Sequence, residues 1–369
     1  MADSRLFKPL AVGKVVLKQR IGMCPLTRFR ASDEKVPTPV MKEYYTQRGS
    51  VPGTLIVTEG TFISEAQSGF DNVPGIYNDA QVAAWRDITD AVHAKGSYIF
   101  CQLWALGRAA NPEVAAREGI TISSSSTIPI DDTSAVPTAM TVEQIQQTVR
   151  DYATAAENAV RAGFDGVEIH GANGYLVDQF TQDTCNDRTD EYGGSVEARS
   201  RFAVEVVAAV VAAIGPERTG IRLSPWGRFQ SMRMADPVQQ FTDVISKIAP
   251  FGIAFLHLVE SYVDGSQDVE SSDKLDFAYN LWNGPLLVAG GHNAASARKL
   301  VDEQYPNKDI VVMFGRYFIS NPDLPFRIRA GLDLNPYLRE TFYIPKSLEG
   351  YTDYPFSKEF LLQSATQLA

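Results

Sequence analysis

His170, Asn173 and Tyr175 bring an imidazole, a carboxamide and a phenol within six residues of one another. They close a strand-like run at 166–170 and enter the loop behind it. An imidazole and a carboxamide can both donate hydrogen bonds to one carbonyl oxygen. A nearby phenol, protonated at neutral pH with a reference pKa of about 10, can deliver a proton to carbon. Together these groups point to activation of a conjugated carbonyl compound. For His170 alone the competing reading is a satisfied core histidine followed by turn residues; Asn173 and Tyr175 beside it favour function.

Such a cluster needs a scaffold. Short β-rich runs recur at 21–26, 54–59, 98–104, 166–170, 220–224, 254–259, 285–289 and 310–314. Most gaps between them carry helix-period stretches, including 79–95, 141–162, 195–214, 238–248 and 294–304. Thr141 with Gln144 three residues on, and Ser195 ahead of Val196 and Glu197, are helix start signals. Strands alternating with helices in this number predict an α/β fold, a closed (β/α)8 TIM barrel, rather than an open sheet. Residues 6–12 and 14–19 flank Gly13 and predict a β-hairpin that caps the N-terminal mouth. The irregular stretch 105–140, with Pro129 and Pro137, predicts a long lid after the third strand. No linker or repeat interrupts the chain, so residues 1–369 read as one domain.

In such a barrel the active site lies at the C-terminal strand ends, and alternate residues of each strand point inward. The fourth strand then turns Glu168 and His170 inward, with Val167 and Ile169 against the helices. The first exit carries Pro25 and Thr27, and the second ends on Gly60, which permits close backbone approach. The third aligns Phe100, Gln102 and Trp104, and an inward glutamine can read a heterocyclic amide edge. On the fifth, Arg222 faces in with Ser224. A lone inward arginine needs an anion, and the alternative is a salt bridge to Glu59 or Glu168. The last two exits, with Gly290 and Gly291 and then Gly315 and Arg316, resemble the phosphate site that barrels build after strands seven and eight.

Composition narrows the classes. A net charge of -10 argues against nucleic-acid binding. No apolar run reaches the roughly 20 residues that span a bilayer, so no membrane partner is expected. The start has no apolar signal core, and the odd, scattered Cys24, Cys101 and Cys185 form no disulfide framework; a reduced, cytoplasmic setting is expected. No nucleotide-binding G-x-G-x-x-G, zinc motif or nucleophile elbow is present, and no metal is expected. Acids, donors and an anion cradle without metal or nucleophile call for an organic cofactor.

The chain resembles the Old Yellow Enzyme family of FMN-dependent ene-reductases, and its fungal branch in particular. The resemblance runs from residue 6 to residue 355. Its most specific parts are 167–176 (Val-Glu-Ile-His-Gly-Ala-Asn-Gly-Tyr-Leu), 185–195 and 314–323, and the run 100–110 adds similarity to fungal members that act in ergot-alkaloid pathways. The resemblance implies an FMN site in which Pro25, Thr27 and Gly60 line the flavin, with Thr27 near its O4. Gln102 would bond the pyrimidine edge and Arg222 the N1/O2 side. Gly290, Gly291, Gly315 and Arg316 would hold the ribityl phosphate. His170 and Asn173 would bind the substrate oxygen, with Tyr175 as the acid. Phe342 and Tyr343 would cap the site, and Trp104 and Phe277 would shape the substrate pocket. A branch with cysteine at the Thr27 position and one with a second histidine at the Asn173 position are both excluded, and 259–276 departs most from the family pattern.

What the resemblance implies is an NADPH dehydrogenase that reduces the C=C bond of α,β-unsaturated aldehydes or ketones. Hydride passes from flavin N5 to the β-carbon of the enone or enal, and a proton from Tyr175 to the α-carbon. Within the same family, a chanoclavine-aldehyde reductase of the ergot-alkaloid pathway is the alternative. From other classes, a flavin-free barrel isomerase or aldolase, or a non-catalytic ligand-binding barrel, stay open. The chain is expected to act as a monomer or homodimer.

Overall fold

Each β-rich run pairs with the next in chain order, and the set closes on itself, so no strand of the barrel has a bare edge. In the computed structural model the barrel strands are β1 (Ile21–Met23), β2 (Leu55–Phe62), β3 (Tyr98–Trp104), β4 (Gly166–Gly171), β5 (Thr219–Leu223), β6 (Phe255–Val259), β7 (Leu286–Ala289) and β8 (Ile310–Phe314). All pairings are parallel, and β8 against β1 completes the ring. The structure describes residues 4–265 and 267–368. Residues 1–3 of the start read above for a targeting signal, Ser266 within 259–276, and Ala369 lie outside the described residues. Among the described residues no helix is long and apolar enough to cross a membrane.

Two strand ends differ from the sequence reading. β1 stops at Met23, so Cys24 to Thr27 already leave the barrel wall toward its mouth. β2 continues to Phe62 through a register shift between Val57 and Gly60, a bulge that carries the strand past its expected end.

The two long helices that follow β3 and β4 each have a side-chain cap and buried apolar residues at helical spacing. Helix α1 spans Val142–Arg161 between Thr141 and Ala162. Thr141 accepts from the Gln144 N–H while the Gln144 side chain accepts from the Thr141 N–H, a reciprocal cap worth about 1 kcal/mol. Its Ile145, Tyr152, Ala155, Ala156 and Ala159 recur at helical spacing and are buried. Helix α2, Val196–Ile214, starts at Ser195 as expected. The 294–304 stretch is α-helical only over Ala294–Lys299 and continues as a π-helix, Leu300–Gln304.

Two apolar layers result. Outward residues such as Val167 and Ile169 pack with Tyr152, Phe202 and Val206 of the helices. Inside the barrel floor, Phe100, Phe255, Leu287 and Val311 meet Leu10, Val12, Val15 and Leu17 of the antiparallel hairpin. The hairpin therefore caps the N-terminal mouth and leaves the opposite mouth for chemistry. The segment 105–140 contributes a short helix, Pro112–Glu118, and a two-stranded pairing, Ser123–Ser124 with Thr138–Ala139. Ser124 and Ser125 donate to Gln179, and Arg108 donates to the carbonyls of Ile128, Pro129 and Gln230.

Candidate active site

The C-terminal strand ends surround a cavity of about 490 Å³. Pro25, Thr27, Gln102, Trp104, His170, Asn173, Tyr175, Arg222, Gly290, Gly291, Gly315, Arg316, Phe342 and Tyr343 all line it. Two expected residues do not. A Cβ on Gly60 would run into the Trp104 indole, so this glycine makes room for Trp104 and the ring shields it from the cavity. Phe277 lies in the helix Asp276–Leu281 and packs edge-on against Trp226, with ring centroids 6.1 Å apart. The segment 105–140 supplies no lining residue either: it buttresses the wall, while 227–229 and 263–265 reach the mouth.

At one end sit the groups that could activate a carbonyl. His170 projects from β4 and is 4% exposed. Burial, with the positive charge of Arg222 and neighbouring His257, holds its imidazole well below the usual 6.5, so it is neutral. Its Nδ1 accepts from the Ala172 N–H at 3.4 Å, which leaves the proton on Nε2 as a donor. Asn173 adopts a left-handed φ of 58°, a conformation that asparagine tolerates better than most residues. Two contacts pin it: its N–H donates to Ser224 Oγ at 2.7 Å, and its carbonyl accepts from Gln230 Nε2 at 2.9 Å. The turn then delivers Tyr175 edge-on to Trp104 at 4.8 Å and to His170 at 5.0 Å. Burial raises the phenol above its ordinary value, so it carries its proton at every physiological pH.

Beneath this cluster lie Gln102 and Arg222. Gln102 Nε2 donates to Glu168 Oε1 at 2.8 Å, and Glu168 Oε2 accepts from His257 Nδ1 at 2.6 Å. Neither Glu59 nor Glu168 lies within 4.0 Å of the Arg222 guanidinium, so among the described residues the expected alternative, a direct salt bridge, does not form. Its Nε is buried without a partner, and Nη2 reaches only Cys24 Sγ at 3.8 Å. A buried cation without an adjacent anion suits an electron-rich ring edge.

At the other end Gly290, Gly291, Gly315 and Arg316 converge. Gly291 has φ 69°, and a Cβ there would sit 3.2 Å from Asp268 Oδ1. The Arg316 fork is paired with both Asp268 oxygens, one contact at 2.6 Å, and Arg316 also donates to the Tyr337 hydroxyl at 3.2 Å. A carboxylate of the chain itself thus rests where glycines and an arginine can receive an anion.

Several lining groups were not anticipated: Phe29, Phe70, Phe229 and His292. They lie outside any periodic element, so no pattern in the sequence points to them. Gln230 and Asp268, which contact Asn173 and Arg316, were likewise not anticipated. His257 is different, because alternation along β6 turns Phe255, His257 and Val259 to one side, and that signal was readable.

Comparison with known proteins agrees with this geometry. Residues 5–335 match the model of the NADH:flavin oxidoreductase / NADH oxidase family. The chain is 56% identical over 360 residues to the chanoclavine-I aldehyde reductase fgaOx3 of Penicillium roqueforti, covering 97% of this chain and 98% of that one. It is 49% identical over 373 residues to the probable inactive dehydrogenase easA of Claviceps purpurea, covering 99% and 98%. Among solved structures, the Old Yellow Enzyme from Pichia sp. AKU4542 superposes with a TM-score of 0.91 at 39% identity, covering 97% of this chain and 95% of that one.

Proposed function

The chain belongs to the NADH:flavin oxidoreductase / NADH oxidase family, as an FMN-dependent oxidoreductase of the Old Yellow Enzyme type, and from that premise we propose how its cavity works. The proposed reaction is reduction of the C=C bond of an α,β-unsaturated aldehyde or ketone with NADPH. The observation that carries it is the His170–Asn173–Tyr175 cluster opening onto the same cavity as the unpaired Arg222. FMN, when bound, supplies hydride chemistry, with NADPH as reductant.

The chain's own residues then have separable tasks. Gly290, Gly291, Gly315 and Arg316 would hold the phosphate, and Pro25, Thr27, Gln102 and Arg222 the ring. His170, neutral and donating through Nε2, and the Asn173 carboxamide would bind the substrate oxygen and stabilise enolate-like charge, an effect worth several kcal/mol when preorganised. Tyr175 would give its proton to the α-carbon; its raised pKa keeps it loaded for that task. Phe342, Tyr343 and Trp104 would close the site around the substrate.

The likeness to a chanoclavine-I aldehyde reductase supports an enal of that chemistry as substrate. A second reading, a barrel without turnover, is favoured by the likeness to a protein named a probable inactive dehydrogenase. FMN-family membership sets aside the flavin-free isomerase or aldolase. We further propose that residues 1–369 work as one domain, as a monomer or homodimer in the cytoplasm. Purified protein should carry bound FMN and oxidise NADPH when given cyclohexenone, an aliphatic enal or chanoclavine-I aldehyde. Bound FMN without enone-dependent NADPH oxidation, across that panel, supports the barrel without turnover and rejects the ene-reductase.

A further inference from the structure

We infer that Glu168 is a positioning residue for the flavin ring, fixing the Gln102 carboxamide in one orientation and supplying the buried negative charge that balances Arg222. This rests on reading the cavity as the FMN site. Glu168 is 0% exposed on the inward face of β4, where it stands opposite Gln102 of β3. One step further along the strands, His170, Arg222 and His257 lie side by side on β4, β5 and β6.

A carboxylate buried this completely must be matched by donors or a cation. Glu168 has two donors: Gln102 Nε2 at 2.8 Å and His257 Nδ1 at 2.6 Å. A carboxylate only accepts, so the Gln102 amide must offer its NH2 there; the flipped amide would set oxygen against oxygen. The Gln102 oxygen is then the group left for the cavity, as an acceptor for a ring imide N–H. His257 is itself fully buried, and its Nε2 has no partner, consistent with a neutral ring whose proton is on Nδ1. The Gln102–Glu168–His257 set therefore places one carboxylate a strand step from Arg222, whose guanidinium pairs directly with no carboxylate among the described residues.

The consequence has a sign. Glu168→Gln keeps the shape and removes the charge, so Arg222 acts on the ring uncompensated. The bound flavin should become easier to reduce. The affinity for reduced over oxidised flavin should rise about tenfold, which for a two-electron couple corresponds to about 30 mV in midpoint potential. Glu168→Leu also releases the Gln102 amide, so the preference for FMN over N3-methyl-FMN should fall toward unity in the apoprotein. His257→Leu, which leaves the carboxylate one donor short, should raise the potential more than in the unaltered protein when the pH is lowered. A spectroelectrochemical titration of each variant reads the potential, and fluorescence titration reads the affinities. Potentials equal to or more negative than those of the unaltered protein at the same pH, in both Glu168→Gln and His257→Leu with FMN bound, would overturn the inference. If the unaltered protein bound no flavin at all, the flavin site itself would be rejected.

Discussion

The two ends of the cavity are built on opposite principles. At the proposed carbonyl end, His170, Asn173 and Tyr175 are held by their own strand and turn and by Ser224, Gln230 and Trp104. At the proposed phosphate end, the groups offered to the anion are glycines and Arg316, whose fork is paired with Asp268, a residue 59% exposed on its side chain. The proposed chemistry at the first end depends on placement to within fractions of an ångström, which these contacts would supply. The second end is proposed as an exchangeable electrostatic contact, where a phosphate would replace the Asp268 carboxylate. Perturbing the first should change turnover with little effect on FMN affinity, and perturbing the second should do the reverse.

The largest expected effect is at Tyr175. Tyr175→Phe should lower steady-state turnover by about 10²- to 10⁴-fold, the usual worth of a general acid, while the FMN dissociation constant stays put. A parallel loss of FMN would break the division between the ends. His170→Leu follows, with about 10²-fold lost, since it removes one donor to the developing oxyanion. At the other end, Arg316→Gln should weaken FMN by about tenfold to a hundredfold, the range for a charge-assisted hydrogen bond. Riboflavin, lacking the phosphate, should bind the variant and the unaltered protein equally; a matching loss for riboflavin would place Arg316 elsewhere.

Smaller effects sharpen the contrast. Asp268→Asn should tighten FMN a few-fold at most, because the Asp268 side chain is 59% exposed against 15% for Arg316, and a pair with a solvated carboxylate is worth about 0–1 kcal/mol. Weaker FMN binding would mean that Asp268 orients Arg316 for the phosphate instead of competing with it. The smallest signal is in pH. Burial, Arg222 and His257 keep His170 neutral well below 6.5, so it should contribute no inflection to kcat/KM between about pH 6 and 8. An inflection near 6.5 that disappears in His170→Asn would show a solvated imidazole.

The same contrast explains what could be read from the chain alone. Period-two alternation assigns side chains to faces, so Glu168, His170, Gln102 and Arg222 were legible as inward groups, and the run of strands and capped helices as a barrel. Alternation says nothing about whether a glycine admits a ligand or a neighbour; at Gly60 the neighbour is Trp104. Nor does it reach loops. Phe277 turns into a helix against Trp226, and Gln230, Phe229 and Asp268 come from segments whose paths follow tertiary contacts rather than any period. The segment 105–140 is long enough for a lid, yet its buried Arg108, Ser124 and Ser125 tie it to the wall. Length predicted an appendage, and the polar residues decided its place.

The central claim is that Tyr175 protonates carbon in the step that consumes the enone. It is tested most directly by separating the two half-reactions under anaerobic stopped-flow conditions. Tyr175→Phe and the unaltered enzyme should be reduced by NADPH at the same rate, and should then differ by at least about 10²-fold in reoxidation by cyclohexenone. Equal reoxidation rates, or a defect confined to reduction by NADPH, would contradict the account.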